Sequence, residues 1–265
     1  MDGVIIFLVE HWLTLFALSL TRVTAFILTF PLFRAIGMPR MVKVAIAFAL
    51  AIIACIYQAN SASPVSPSSI DFGSLPWLSG GLKVAREAVV GGVFGFGCGL
   101  WLAPARIAGA YIGQEMGLGM ATLTNPTSGE STTVVSELFF VLSAIVFLVT
   151  DAHLLLIRTL FRTFDRFPIG GGIATEHFLL VSKGVNESQA MGIQIAASVA
   201  AILFLITVAL STMMKAIPQF NLFTFGSAIR VFCGVLSLFV FLPEMVLLMD
   251  RVFRNMHVTA QRFGL

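Results

Sequence analysis

The sequence predicts an all-α membrane protein, with about six long apolar helices arranged as kinked hairpins. Two observations carry that prediction. Hydrophobic residues make up 58% of the 265 residues and charged residues only 11%, with a mean hydropathy of +0.97; soluble domains hold roughly 45–50% apolar and about 25% charged residues. The apolar residues are also gathered into long runs, at or near the length of about 20 residues that a bilayer demands of a helix.

The first run, Val4–Phe33, would be roughly 45 Å long as one straight helix, against a hydrocarbon core of about 30 Å. It must therefore bend or tilt. Its first cation is Arg22, and the apolar run continues past it, so it lacks the basic start and short core of a cleaved signal and reads as a retained segment. Met41–Tyr57 is barely long enough to cross. The stretch "QANSASPVSPSSIDFGSLPWLSG" (58–80) is dense in Ser and Pro and reads as an irregular excursion. Ala88–Ile112 and Val134–Ile157 follow, then "RTFDRFPIGGGIATEHF", where Pro168 with Gly170, Gly171 and Gly172 forms a break and a hinge. Ala190–Ile217 and Ala228–Met249 complete the set. Grouped in order, the runs form three hairpins, roughly 4–57, 88–157 and 190–249, of one unit spanning 1–265.

Charge adds little beyond the membrane. A net charge of +3 suits a few cations at an anionic membrane face and gives no nucleic-acid surface. Cys55, Cys98 and Cys233 lie in apolar runs and read as buried thiols. By the positive-inside rule, nine cations (Lys83, Arg86, Arg158, Arg162, Arg166, Lys183, Arg251, Arg254, Arg262) stand against four (Arg34, Arg40, Lys43, Lys215), favouring cytoplasmic termini. The densest short cluster, "RAIGMPRMVK", points the other way. Glu10, Arg22, Arg106, Arg230 and Glu244 sit in or beside apolar runs, where a charge is costly. They read as interhelical ion pairs or helix-end anchors, with a proton or ion relay as the competing reading.

Glycine and chemistry-bearing residues narrow the function. Gly91, Gly95 and Gly99 recur every fourth residue, as do Gly109, Gly113 and Gly117; such rows let a second helix backbone approach closely. Enzyme signatures are missing. There is no G-x-S-x-G elbow, no metal-ligand spacing among His11, His153, His177 and His257, and no phosphate-cradling loop. Asp151 and His153 in "DAH" read as a satisfied helix-end pair. The expectation is a protein that is not an enzyme and takes no cofactor or metal. A small transporter or channel subunit is the alternative, marked by a paired ionisable site at a broken helix; Arg106 beside Pro104 is its candidate, without an obvious acid.

One stretch fits neither helix nor simple loop: "YIGQEMGLGMATLTNPTSGEST" (111–132). Gly113, Gly117 and Gly119 lower the cost of moving its backbone. Met116, Leu118 and Met120 are bulky but pliable, and Asn125-Pro126 stops helix and re-aims the chain. From the residues alone it reads as a buried turn packing against neighbouring helices.

The stretch also carries a resemblance. Gly113-Gln114, Gly117-Leu118, Ala121 and Asn125-Pro126, then His153 with Leu155 and Leu156, and Phe164 with Pro168 together resemble the FliR family of flagellar export proteins and its T-type relatives in virulence injectisomes. The blocks "RVTAFILTFPLFRAIGMPRMVKVAIA" and "IPQFNLFTFGSAIRVFCG" agree, so the resemblance covers most of the chain in order. Asp151 departs from it, standing where the family has a small or neutral residue. The resemblance implies a subunit of the type III protein-export gate of the bacterial inner membrane, at the flagellar basal body, inside a larger helical hetero-oligomer. Its implied partners are the P-type and Q-type membrane proteins, a B-type switch protein, an A-type export protein, membrane lipid and unfolded secreted polypeptides. It further implies that Gly113, Gln114, Met116, Gly117, Leu118, Gly119, Met120, Asn125 and Pro126 form a pore plug.

Overall fold

The computed structural model describes residues 2–35, 37–59, 76–118, 122–124, 131–169, 176–216 and 225–262. Among them are nine helices: α1 (Asp2–Thr29), α2 (Pro31–Ala35), α3 (Arg40–Ala59), α4 (Pro76–Gly99), α5 (Ala103–Glu115), α6 (Val134–Val149), α7 (Ala152–Arg166), α8 (Glu176–Ala216) and α9 (Ser227–Arg262). One small antiparallel ribbon, β1 (Thr122–Thr124) with β2 (Ser131–Thr133), pairs Thr122 with Thr133 and Thr124 with Ser131. The Ser/Pro-rich residues 60–75 and the hinge glycines Gly170, Gly171 and Gly172 lie outside the described residues.

Three of the apolar runs are each interrupted, in keeping with the kinked hairpins expected. Val4–Phe33 stops at Phe30, and Pro31 opens α2, the first-turn position where a missing N–H costs nothing. Ala88–Ile112 divides at 100–102, with Pro104 in the first turn of α5. Val134–Ile157 divides at Thr150 and Asp151, whose φ is +54°; aspartate is among the few side chains that visit the left-handed region readily. Pro243 lies inside α9, where it removes one helical hydrogen bond.

By packing, the chain forms two compact units: Met1–Gly99 with His153–Ser182 and His257–Leu265, and Leu100–Ala152 with Lys183–Met256. In the first, α1 is central. It buries Leu15, Leu18, Ser19, Arg22, Val23, Phe26 and Ile27, with Phe30 just past its end, a spacing of threes and fours that keeps one broad stripe inward. Along α4 the row Gly91, Gly95, Gly99 faces this stripe. A Cβ at Gly91 would overlap the Arg22 carbonyl, one at Gly95 would lie 2.6 Å from the Phe26 carbonyl oxygen, and one at Gly99 2.5 Å from the Pro31 ring. The two helices therefore touch backbone to backbone. α3 also packs on α1, burying Ala47, Ala51 and Ala54. Phe16 meets Phe48 edge-on with centroids 5.2 Å apart, and Gln58 donates to the Ser19 hydroxyl at 3.1 Å.

In the second unit α5 packs along α6, and α9 reaches α6 where Phe147 meets Phe253 at 5.5 Å. Among the described residues, four segments are long and apolar enough to cross a membrane: Trp12–Thr29, Arg40–Gln58, Lys183–Met213 and Ser227–Arg254, or up to six if α4 with α5 and α6 with α7 each count as one broken span. Those of α8 and α9 carry the most outward apolar surface, with Phe232 71% and Phe239 79% exposed.

The α1–α4 contact predicts that Gly95→Leu destabilises the chain by about 1–3 kcal/mol or more through overpacking. The detergent-purified variant should show a lower Tm, while Gly97→Ala, where a Cβ meets open space, should leave it unchanged or slightly higher. Equal behaviour of the two would refute backbone contact at Gly95.

Candidate functional site

The stretch 111–132 is not one loop. Its first five residues continue α5, which ends at Glu115. Gly117 follows with φ +79°, and its N–H donates to the Gln114 carbonyl at 3.0 Å, one of the two hydrogen bonds of a glycine-closed helix end. Gln114 and Gly117 are exposed, Leu118 is half-buried and Met116 is buried. Thr122–Thr124 then runs as β1 against β2. Gly119, Met120, Asn125 and Pro126 lie outside the described residues.

α5 is the firm base of this segment. It buries Leu102, Ala105, Ala108, Ile112 and Met116. Gly109 and Gly113 face the start of α6: a Cβ at Gly109 would lie 2.5 Å from Ser136 Cα, and one at Gly113 2.9 Å from the Thr133 hydroxyl. Thr133 ends β2 and caps α6, its hydroxyl accepting from the Ser136 N–H at 3.1 Å. The Ser136 hydroxyl donates to the Arg106 carbonyl at 3.0 Å. Gly117 leaves the row that spacing suggested, because the helix has already ended. α8 and α9 add their own glycines. A Cβ at Gly192 would lie 3.0 Å from the Pro104 carbonyl oxygen, and one at Gly234 2.6 Å from Met116 Cγ.

Arg106 is accompanied, contrary to the expectation that it lacks an acid. Its guanidinium sits 3.9 Å over the Phe140 ring and 3.9 Å from the Glu137 carboxylate, with both charged side chains partly exposed. A loose pair beside an aromatic face contributes little to stability. His153 also differs from expectation: its Nδ1 is buried without a hydrogen-bond partner, so it is not one half of a satisfied pair.

The most tightly held charges lie in the other unit. Arg22 and Glu87 are both fully buried and form an ion pair, with Nε donating to the carboxylate at 2.6 Å. Arg22 also donates to the carbonyls of Thr163 at 3.1 Å and Phe167 at 2.9 Å. Its guanidinium lies 4.4 Å from the Phe164 ring centre. It thereby holds the C-terminal end of α7, adding a second donor to the Thr163 carbonyl, which already accepts from the Phe167 N–H at 2.9 Å, and bonding the Phe167 carbonyl just beyond the helix. Arg86 donates to Glu87 at 3.1 Å and to the Pro168 carbonyl at 3.3 Å, so the residue expected to open a hinge is itself tethered. Glu87 has no part in the sequence reading, and Arg86 enters it only among the nine cations of the charge count. Adjacent opposite charges at the edge of an apolar run, "VAREAVV", were the available signal.

A chain of this build is a multi-pass membrane protein whose most distinctive segment is a glycine-closed helix end leading into a ribbon. The profile of the bacterial export proteins, family 1, matches residues 13–256, and the chain belongs to that family. This agrees with the resemblance read from the three sequence blocks and with a place in the bacterial inner membrane. Among curated relatives, the flagellar biosynthetic protein FliR of Pectobacterium carotovorum is 27% identical over 88% of this chain and 86% of its own length. FliR of Bacillus subtilis is 26% identical over 90% of each. FliR of Escherichia coli is 28% identical over 88% of this chain and 85% of its own length.

The Arg22 cluster predicts that Glu87→Met, which strands a buried guanidinium, costs about 3–5 kcal/mol, whereas Arg22→Met with Glu87→Met costs less than Glu87→Met alone. Thermal unfolding of the purified variants reads both; a double variant less stable than Glu87→Met would refute it.

Proposed function

We propose that the chain is a non-enzymatic subunit of the flagellar protein-export gate, that it forms part of the pore for unfolded substrates, and that Gly113 to Pro126 is the plug of that pore. The observation that carries the proposal is the unequal anchoring of the stretch. Its upstream end is packed against α6, α8 and α9 through Gly109, Gly113, Gly192 and Gly234, and its downstream end is paired in the ribbon. Between them Gly117 holds a positive φ with open space around it. A soft apolar segment fixed at both ends can swing aside for a polypeptide and return to the same place. The rest of the chain acts as one gate unit, and the connection from Pro168, held at its carbonyl by Arg86, to Gly170 and Gly171 supplies a second point of bending beyond that tether.

The names of the relatives favour the flagellar system over an injectisome, and the apolar faces of α8 and α9 suit coverage by lipid and by other membrane subunits. The P-type and Q-type proteins are the proposed neighbours, with B-type and A-type proteins joining them. The Arg106–Glu137 pair near Pro104 is the one feature that favours a transporter subunit instead, because it sets two ionisable groups beside a helix break. Its looseness and its exposure make it a weak transport site, and family membership favours export.

Two measurements test the proposal. A C-terminally tagged chain, extracted in mild detergent, should bring down multiple copies of two other small membrane proteins; a lone chain or a homo-oligomer would count against a gate subunit. Deleting residues 117–120 spares α5 and the ribbon, so the complex should still assemble while the inner membrane becomes permeable to ions and small solutes. An assembled deletion complex that stays tight would end the plug reading.

A further inference from the structure

Beyond the plug itself, and resting on that reading, we infer that Gly234 of α9 is the seat of Met116 and that this contact sets where the plug segment parts from the body of the protein. Gly234 and Met116 are both buried. A Cβ at Gly234 would lie 2.6 Å from Met116 Cγ, 2.8 Å from its Cε and 2.9 Å from its Sδ. The whole thioether arm therefore lies along bare α9 backbone, in space that any other residue at 234 would fill. The helix is secured at the same turn, where the Ser237 hydroxyl donates to the carbonyls of Cys233 at 2.6 Å and Gly234 at 3.1 Å. Such bonds to the preceding turn bend a helix locally.

Met116 is also the last residue that α5 holds, its N–H donating to the Ile112 carbonyl at 2.9 Å. One residue on, Gly117 is exposed, with φ +79° and nothing near its Cβ position. Seat and pivot are thus consecutive residues. A methionine suits the seat because its unbranched chain adapts to an irregular gap and can leave it without breaking a polar bond. Gly234 is a positioning residue: it holds Met116, and Met116 holds the root of the plug.

A reversible lock tests this. In a chain whose Cys55, Cys98 and Cys233 are replaced by alanine, Met116→Cys with Gly234→Cys places a sulfur close to the facing Cβ, within reach of a disulfide. The assembled gate in intact cells should form that disulfide under mild oxidant, seen as loss of maleimide labelling. Secretion of flagellar subunits should then fall to that of a strain lacking the chain and return on reduction. Failure of the disulfide to form in an assembled gate would overturn the seat. So would a disulfide that leaves secretion unchanged. If the double variant does not assemble, Gly234→Ala decides: its methyl group should displace Met116 and raise ion leakage, and a membrane as tight as wild type overturns the inference. The 117–120 deletion separates the two ideas. A leaky deletion beside a locked but secreting gate leaves the plug standing and removes the seat, whereas a tight deletion removes the plug.

Discussion

The buried pair of Arg22 and Glu87 is the constraint around which the first unit is arranged. A guanidinium with no access to water needs all of its donors satisfied, since each unmet donor in a low-dielectric interior carries the full desolvation penalty. Glu87 on α4 takes one side of the group, and the carbonyls of Thr163 and Phe167 at the end of α7 take the other. With α1, which carries Arg22, those partners tie together three helices far apart in sequence, so satisfying one side chain fixes how α1, α4 and the end of α7 meet. The glycine row on α4 is the steric counterpart. Gly91 lies against the Arg22 carbonyl itself, so the closeness that brings Glu87 to Arg22 exists only where α4 has no side chain. Electrostatics and packing depend on one another at a single turn of α1.

The second unit is organised by the same close approach, and among its described residues no charged side chain is fully buried. α5 meets α6, α8 and α9 at points where one member is glycine or a bare backbone turn. Two hydroxyls tie the unit's elements together, one capping α6 and a second donating to the Arg106 carbonyl. Helix packing among apolar neighbours relies on shape rather than on a hydrophobic drive, and notches of this kind supply the shape.

Much of the fold was legible in the sequence because hydropathy is a one-dimensional property. The apolar runs located the helices, but not all of their ends: α4 begins at Pro76, α7 runs on to Arg166, α8 begins at Glu176 and α9 runs on to Arg262, because a helix continues into polar sequence that hydropathy does not register. Pro31 and Pro104 marked two of the interruptions. The break at Asp151 was not legible, since a left-handed aspartate looks like any other polar residue until its φ is known. The partners of Arg22 were also hidden: Glu87 is 65 positions away, and nothing local to either residue announces the other. The candidate site was half legible. Its composition drew notice to 111–132, yet glycines that look alike in a string have opposite roles in space. Gly113 is locked under Thr133, Gly117 turns the chain, and Gly234 acts through a methionine more than a hundred positions away.

The Thr-rich ribbon has a consequence for where water must reach. Two short strands pair with each other along one edge only, which leaves the outer N–H and C=O groups of both to find partners elsewhere. Hydrocarbon offers none, and an open strand edge is not tolerated against lipid tails. The outer edges of Thr122–Thr124 and Ser131–Thr133 must therefore lie against water or against polar groups of protein, whether of this chain or of another. Within a protein whose surface is otherwise so apolar, that pair of strands marks a wetted or protein-lined compartment, and the lipid must stop short of it.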